Sequence, residues 1–370
     1  MALRNVNKEF EGLIQAPIHD CYRFWIELVD TTAVKIVYAD KEGVLSLYFV
    51  NDPLGCKVLT SRGVLVEGQA VEDPKQEAML VNRNFMEMAG QTLLAFLGNE
   101  SLVLQYLDVT VWKGEDIDTL DSTEFENCKE QLLEKIDAAL EVAGCLSVRN
   151  LYYYYSGKQD DVVRVLRWLD AEYLSTFTLA CDHRYDGPNE VSEIMEMPHM
   201  DDLERLVMFD LPDNKVPLEM WANYPNTGMV LNYKKLEDFP KMLRHFALSP
   251  SFESSTIQTP YSRSEIMEFL SVTLNLEWET CEQTGHKFVL FLSPYTLQQM
   301  YVGLHDKNIK VEKRGPVNVS QDEDDEDEED PMEEDGDEEE EEEYEDEEYS
   351  MDEDEDDEYE EDPMEFSDDE

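Results

Sequence analysis

The sequence predicts an α/β protein, an irregular leucine-rich-repeat-like strand/helix solenoid with a short N-terminal helix and a disordered acidic tail. Within 146–257, four short apolar runs start at residues 148, 174, 203 and 229, so their spacings are 26, 29 and 26 residues. The polar segment between each pair of runs suits one helix. A period of this length is typical of stacked units that bury their apolar faces only against their neighbours. Such surfaces bind partners more often than they catalyse reactions.

The charge of the chain is concentrated at its C-terminal end. The 370 residues carry 87 acidic and 29 basic side chains, a net charge of −58. The segment 321–370 holds 37 of the acidic residues and no Lys or Arg, which leaves 50 acidic against 29 basic residues before it. Self-repulsion and the scarcity of apolar residues predict a disordered tail over 315–370. This charge argues against nucleic acid and favours basic partners.

The N-terminal part is predicted to be one helix followed by a strand-rich region. Leu3, Val6, Phe10 and Leu13 lie on one face of a helix over 2–13, within a segment 1–16. In the region 17–145, short β-branched and aromatic runs separated by turn residues predict strands over 23–29, 33–38, 44–50, 64–66 and 102–112. A hairpin turn is expected at Glu42-Gly43. Helices are predicted over 73–95, with Met79 and Leu80 on its apolar side, and over 122–143.

The repeat domain, 146–314, is predicted to alternate strands and helices. The predicted strands are 147–155, 175–181, 204–209, 229–233 and 255–259, followed by a closing hairpin of 287–292 and 298–304 and a last strand over 309–312. The predicted helices are 159–170, 189–195, 235–246 and 260–273, with a turn or short helix over 217–223. All boundaries follow from apolar periodicity and turn residues.

No residue pattern indicates catalysis, a metal or a cofactor. The six cysteines form no CxxC pair, which favours free core thiols in a reducing compartment. Cys181 and His183 are the only close pair of ligand-type residues, and two ligands do not make a zinc site. Nucleophile-elbow, phosphate-loop and kinase motifs are absent. With no visible signal peptide or apolar span, we expect a non-enzymatic protein of the cytoplasm or nucleus with no membrane contact.

Two groups of tyrosines are candidate partner-binding residues. In the run Tyr152–Tyr155, alternate side chains of a strand point to opposite faces, so Tyr152 and Tyr154 would share one face. That face is either an exposed aromatic patch or, as in many repeat folds, covered by neighbouring elements. Tyr344 and Tyr349 are interspersed in the acidic tail, which is either a solubilising segment or a binding site for basic proteins.

Several segments resemble one protein family. EIMEMPHMDDLERLVMFDLP (193–212), KKLEDFPKMLRHFALSPSFESSTI (234–257) and HKFVLFLSPYTLQQMYVGLHDKNIKVEKR (286–314) are similar, in order and spacing, to the F-box-associated FTH domain of nematode F-box proteins. ALRNVNKEFEGLIQ (2–15) resembles the last helix of an F-box. The chain departs from the family at residues 198–201, where a Gln-Trp-Lys run is common. It also lacks the Leu-Pro opening of the F-box and adds the acidic tail.

The resemblance implies a non-catalytic subunit that recognises substrates for a cullin-type, SCF-like E3 ubiquitin ligase. It implies that Leu3, Val6, Phe10 and Leu13, on the F-box remnant helix, contact the small adaptor subunit of the ligase, and that the FTH-like domain holds a protein target. The alternative is a stand-alone interaction protein of chaperone-like type, which would bind basic partners through its acidic tail.

Overall fold

The computed structural model describes residues 21–41, 43–66, 69–72, 76–111, 122–155, 158–181, 191–209, 218–230, 236–281, 283–292, 298–305 and 308–314. Over these ranges the chain is a mixed α/β structure, and its strands all join one large hydrogen-bonded sheet. The helix predicted over 2–13 and the tail predicted over 315–370 lie outside the described residues.

The sheet begins with a set of antiparallel strands. They are β1 (Cys21–Asp30), β2 (Ala33–Ala39), β3 (Val44–Asp52), β4 (Gly55–Val66), β5 (Gln69–Glu72) and β6 (Gln76–Val81). β1 to β4 pair in chain order, and β5 and β6 both pair with β4. The predicted hairpin between β2 and β3 is confirmed, and its turn is closed by the amide of Asp40, which donates to the carbonyl of Gly43 at 3.0 Å.

The helix predicted over 73–95 is wrong in its first half. Met79 and Leu80 lie on β6, and helix α1 spans Phe85–Leu97. Between these elements Asn82 adopts a left-handed backbone with φ 59°, which a continuous helix cannot contain. The side chain of Asn84 then accepts hydrogen bonds from the amides of Met86 and Glu87. This cap fixes the helix start, because it satisfies amides that have no intrahelical partner.

The middle of the sheet is a parallel array in chain order. Its strands are β7 (Val103–Thr110), β8 (Ser147–Tyr155), β9 (Thr176–Cys181), β10 (Arg205–Phe209), β11 (Asn226–Val230) and β12 (Ser254–Gln258), and β1 pairs with β7 in parallel. The connections contain α2 (Ser122–Ala143), α3 (Gln159–Leu166), α4 (Ser192–Met195), α5 (Leu218–Trp221), α6 (Phe239–Leu248) and 3₁₀ turns at Pro198–Met200 and Leu236–Asp238. The predicted helix 122–143 and strand 147–155 are confirmed, whereas β11 starts three residues before its predicted position.

An antiparallel set of strands closes the sheet. After α7 (Arg263–Leu274) come β13 (Glu279–Thr280), β14 (Lys287–Leu292), β15 (Gln299–His305) and β16 (Asn308–Arg314). β16 pairs with β12, so the order at this end is β13-β14-β15-β16-β12. The predicted hairpin of β14 and β15 and the predicted last strand are confirmed. α7 starts with a reciprocal capping box between Ser262 and Glu265.

The parallel strands share an apolar pattern in register. In β1 it comprises Cys21, Phe24 and Ile26, and the equivalent positions of β8 are Val148, Leu151 and Tyr153, all buried. Pairing lines up the third position of each strand into one buried row: Ile26, Val109, Tyr153, Leu179, Met208, Met229 and Ile257. Each large apolar side chain buried in this way stabilises the fold by about 1.5–3 kcal/mol.

The apolar rows face the helices, which therefore cover one side of the sheet. Phe96 of α1 packs against Phe24 of β1 and Tyr38 of β2, with ring centroids 5.7 and 5.6 Å apart. The inward residues of the strands and the buried residues of α1, α2, α3, α6 and α7 form one continuous cluster.

Successive units are also linked by backbone hydrogen bonds just before each strand. The amide of the residue before or at the start of one strand donates to the carbonyl of the equivalent residue in the preceding unit, at 2.8–3.1 Å. The bonds run from Ser175 to Arg149, from Glu204 to Ser175, from Asn226 to Glu204 and from Glu253 to Pro225. Each unit is thus bonded to its neighbour in nearly the same way.

A buried ion pair fastens α2 to α3 and β8. Lys129 is only 1% exposed, and its Nζ lies 3.0 Å from Asp161 Oδ2 and 2.9 Å from Glu126 Oε2. Burial raises the pKa of Asp161, although the ammonium of Lys129 acts in the opposite direction. The hydroxyl of Tyr153 donates to the carbonyl of Asp161 at 3.2 Å, which ties the start of α3 to the core face of β8.

We expect Lys129→Ala to lower the free energy of unfolding by about 3–5 kcal/mol, because it leaves buried carboxylate charge without a partner. Lys158→Ala is the matched control. Lys158 also pairs with Glu126 at 2.9 Å, but its side chain is 55% exposed, so the loss should stay below about 1 kcal/mol. Urea unfolding followed by circular dichroism measures both, and equal losses for the two variants would contradict the role given to Lys129.

Candidate protein-binding face

The side of the sheet opposite the helices, here called the outer face, carries the residues that lie between the apolar positions. The residue before the second apolar position forms a row of polar side chains across seven strands: Arg23, Tyr106, Asn150, Thr176, Arg205, Asn226 and Ser254. Neighbours in this row are hydrogen-bonded: Ser254 Oγ donates to Asn226 Oδ1 at 2.6 Å. None of the seven side chains is fully buried, so the row offers donors and acceptors to a partner.

The strongest interaction on the outer face is an ion pair between β1 and β7. Arg23 Nε donates to Asp108 Oδ2 at 2.6 Å, and the Asp108 side chain is 4% exposed against 33% for Arg23. The two strands pair directly, with Arg23 opposite Tyr106 and Trp25 opposite Asp108. A buried carboxylate needs such a partner, since its desolvation is otherwise costly.

Tyrosine rings surround one side of this ion pair. The rings of Tyr22 and Tyr106 meet edge to face with centroids 5.2 Å apart, and Tyr106 lies 6.1 Å from Tyr152 of the next strand. Tyr152 is the register partner of Asp108, and Tyr154 follows it on the same face. These rings form a continuous aromatic surface from β1 to β8, with Tyr22 43% exposed.

Cation–π contacts extend the surface in the other direction. Arg23 Cζ lies 5.6 Å from the ring centroid of Trp25, and Lys35 Nζ lies 5.1 Å from Trp25 and 5.0 Å from Tyr48. Rings and cations therefore alternate across β3, β2, β1, β7 and β8. We call the whole set the aromatic–ionic cluster: Tyr22, Arg23, Trp25, Lys35, Tyr48, Tyr106, Asp108, Tyr152 and Tyr154.

The protonation states of the cluster favour hydrogen bonding. Burial raises the pKa of Asp108, while Arg23 opposes this shift. Burial also raises the pKa of Tyr106, assisted by Tyr22, and that of Tyr154, assisted by the charge of Asp108. The phenols of Tyr106 and Tyr154 are therefore protonated at neutral pH and can donate hydrogen bonds. Protonated phenols, aromatic rings and a guanidinium are groups that recognise protein surfaces.

The sequence predicted two members of this cluster. Tyr152 and Tyr154 lie on the outer face and are partly exposed, while Tyr153 between them is fully buried. The other predicted site residues, Leu3, Val6, Phe10, Leu13, Tyr344 and Tyr349, lie outside the described residues.

Sequence reasoning missed Arg23, Trp25 and Asp108. The usable signal was the spacing of apolar residues: Cys21, Phe24 and Ile26 repeat the pattern of Val148, Leu151 and Tyr153. That pattern places Arg23 and Trp25 on the same face as Tyr152, once β1 is recognised as a member of the parallel array.

A small cavity lies before the amino ends of β8, β9 and β10. Its volume is about 260 Å³, and it is lined by Arg149, Glu172, Tyr173, Leu174, Ser175, Asp202 and Glu204. Ser175 Oγ donates to Glu204 Oε2 at 2.8 Å, which orients one of the carboxylates. The cavity lies next to the polar row, because Ser175 and Glu204 directly precede Thr176 and Arg205.

Among the described residues, no three His, Cys, Asp or Glu side chains are grouped so as to hold a metal ion. The five cysteines whose side chains are described, Cys21, Cys56, Cys128, Cys145 and Cys281, are free thiols. Burial raises the pKa of Cys21 to about 12 and that of Cys56 to about 11, so neither is a thiolate at neutral pH. In the same ranges, no helix is long and apolar enough to span a membrane.

Comparison with known proteins identifies no family. No protein-family model matches the chain, and no curated protein matches it significantly. Among solved structures, a sporulation-specific glycosylase from Bacillus subtilis aligns with 11% identity over 74% of this chain and 89% of that chain, with a TM-score of 0.18. A TM-score this low carries no argument about fold or activity.

We expect Arg23→Ala to lower the free energy of unfolding by about 1–3 kcal/mol at pH 7, because it leaves the Asp108 carboxylate buried without its partner. The pKa of Asp108 is already raised in the folded protein, so folding favours its protonated form and the cost appears as pH rises through that pKa. The loss should therefore be smaller at pH 4 than at pH 7.

Arg205→Ala is the control, since Arg205 is an exposed arginine of the same polar row and should change stability by less than about 0.5 kcal/mol. Urea titrations at the two pH values give the comparison. A loss for Arg23→Ala that does not depend on pH would show that Asp108 is not the group left unpaired.

Proposed function

We propose that the protein is a non-catalytic subunit that recognises protein targets for a cullin-type, SCF-like ubiquitin ligase. The observation that carries the proposal is the aromatic–ionic cluster, which combines Trp25, Arg23 and four tyrosines beside it on a face that the helices leave uncovered. Trp, Tyr and Arg are the residues that dominate binding energy at protein interfaces. The resemblance of the chain to nematode F-box proteins with an FTH domain supplies the link to the ligase.

The same proposal includes the fold, an irregular leucine-rich-repeat-like solenoid. Three features support it: six parallel strands in chain order, connections that return along one side, and an apolar pattern repeated in register. In such a solenoid each unit contacts its neighbours, and the strand face becomes an extended binding surface. The target would lie on this face, in contact with Tyr152 and Tyr154.

The mechanism is proximity. A target held on the outer face lies near a ubiquitin donor bound elsewhere in the ligase, so its effective concentration rises without side-chain chemistry from this chain. The helix with Leu3, Val6, Phe10 and Leu13 would contact the adaptor subunit. This places the protein in the cytoplasm or nucleus.

We expect the full chain to co-purify with the adaptor subunit, and a Leu3→Asp/Phe10→Asp variant to lose it, because charge on an apolar contact face is costly to bury. A Tyr152→Ala/Tyr154→Ala variant should keep the adaptor but lose targets that proximity labelling detects with the unaltered chain. Quantitative pull-downs from the same extract measure both. An F-box protein with a complete F-box is the positive control, and failure of the full chain to recover the adaptor beside that control would refute the ligase role.

A second candidate is a stand-alone chaperone-like protein that binds basic partners. It is favoured by the 37 acidic residues of 321–370, which create a strong negative potential. In this case Tyr344 and Tyr349 would add local contacts.

For this second candidate we expect binding to a basic protein such as a histone to weaken steeply with salt, because the screening length falls to about 8 Å at physiological ionic strength. Deleting 321–370 should abolish the interaction, while the Tyr152→Ala/Tyr154→Ala variant should leave it unchanged. Calorimetry at low and physiological salt measures the affinity. Unchanged affinity after the deletion would rule out this function.

A further inference from the structure

We propose that the outer face of the closing strands β14–β16 is a second docking surface, which binds an acidic peptide segment of a partner protein. This surface lies at the opposite end of the sheet from the antiparallel strands that hold Trp25 and Tyr48. The proposal does not depend on the ligase function.

The first argument is the sign of the charge. In the described residues of β14–β16, the cations are Lys287, Lys310, Lys313 and Arg314, and Glu312 is the only carboxylate. The chain as a whole carries −58. A basic region in so acidic a protein is complementary to an acidic ligand, and such complementarity fixes where a partner binds.

The second argument is the exposure of two of these cations on one face. Lys310 and Arg314 alternate with inward-facing Ile309, Val311 and Lys313, so their side chains point to the outer face. Both bind the same carboxylate, Glu312, and their side chains remain 46% and 50% exposed. One carboxylate shared by two cations leaves donors for another, because a guanidinium alone has five N–H groups. A carboxylate of a partner would complete this arrangement.

The third argument is an aromatic platform beside the cations. Phe288 and Tyr301 stack with ring centroids 5.8 Å apart, and Arg314 Cζ lies 4.6 Å from the Tyr301 ring centroid. Tyr301 lies over Gly303, since a Cβ atom on Gly303 would be 2.5 Å from the tyrosine oxygen. The missing side chain at Gly303 thus lets the ring lie along the sheet, where an apolar side chain of the partner can pack on it and on Phe288.

These features select a peptide with both carboxylates and apolar side chains. A few carboxylates pair with Lys310 and Arg314, while an aromatic or aliphatic residue packs on the platform. A polynucleotide is disfavoured, because its continuous line of phosphates would be repelled by the net charge of the whole chain.

The test is fluorescence anisotropy of a labelled peptide of alternating Glu and Tyr residues with the full chain. We expect saturable binding that weakens with salt, and none for the matching peptide of alternating Gln and Tyr. Lys310→Glu/Arg314→Glu should weaken binding by about tenfold or more, since it replaces attraction with repulsion. Lys310→Gln/Arg314→Gln should weaken it less. Gly303→Ala, which displaces the Tyr301 ring, should also reduce affinity.

Lys241→Glu is the matched control, because Lys241 is a 70% exposed lysine on α6, and it should leave the affinity unchanged. Thermal melting by circular dichroism confirms that each variant is folded. Equal affinity for the unaltered chain and both charge variants, or no binding at all, overturns the proposal. Binding only to a chain that ends at Ser320 also overturns it, because the occupant would then be the chain's own acidic segment.

Discussion

The shared register of the parallel strands is the constraint on which the rest of the structure depends. Because Phe24, Leu107 and Leu151 are aligned across three strands, their apolar side chains meet the helices on one side. The residues between them are then forced onto the other side. A slip of one residue in any strand would turn Arg23 or Asp108 into the core and an apolar residue out of it. The helix layer and the outer face are therefore two results of one alignment.

Much of this fold was predictable from the sequence, because strands and helices differ in period. The strand 147–155 and the helix 122–143 have long, unambiguous patterns, and their predicted bounds are confirmed. The segment 73–95 was misjudged because its apolar residues fit a helix as well as a strand. The deciding features are local: the left-handed backbone of Asn82 and the side-chain cap of Asn84 end β6 and start α1. Such backbone geometry leaves little trace in an apolar pattern.

The candidate binding face was predictable only where its residues are neighbours in the chain. Tyr152 and Tyr154 were placed together by strand alternation alone. Arg23 and Asp108 are 85 residues apart, and they meet because β1 pairs with β7 across five intervening strands and α1. Sequence periodicity gives the face on which a side chain lies within its own strand. It does not give the neighbour of that strand, which depends on packing of the whole sheet.

The repeated backbone hydrogen bonds between units have an evolutionary consequence. Because the bond from Glu204 to Ser175 is matched by that from Asn226 to Glu204, a unit meets almost the same backbone before and after it. Duplication or loss of one strand and its connection would leave its former neighbours able to bond to each other. The outer face would then lengthen or shorten by one strand spacing, about 4.8 Å. Its reach could therefore diversify by whole units, without redesign of the core.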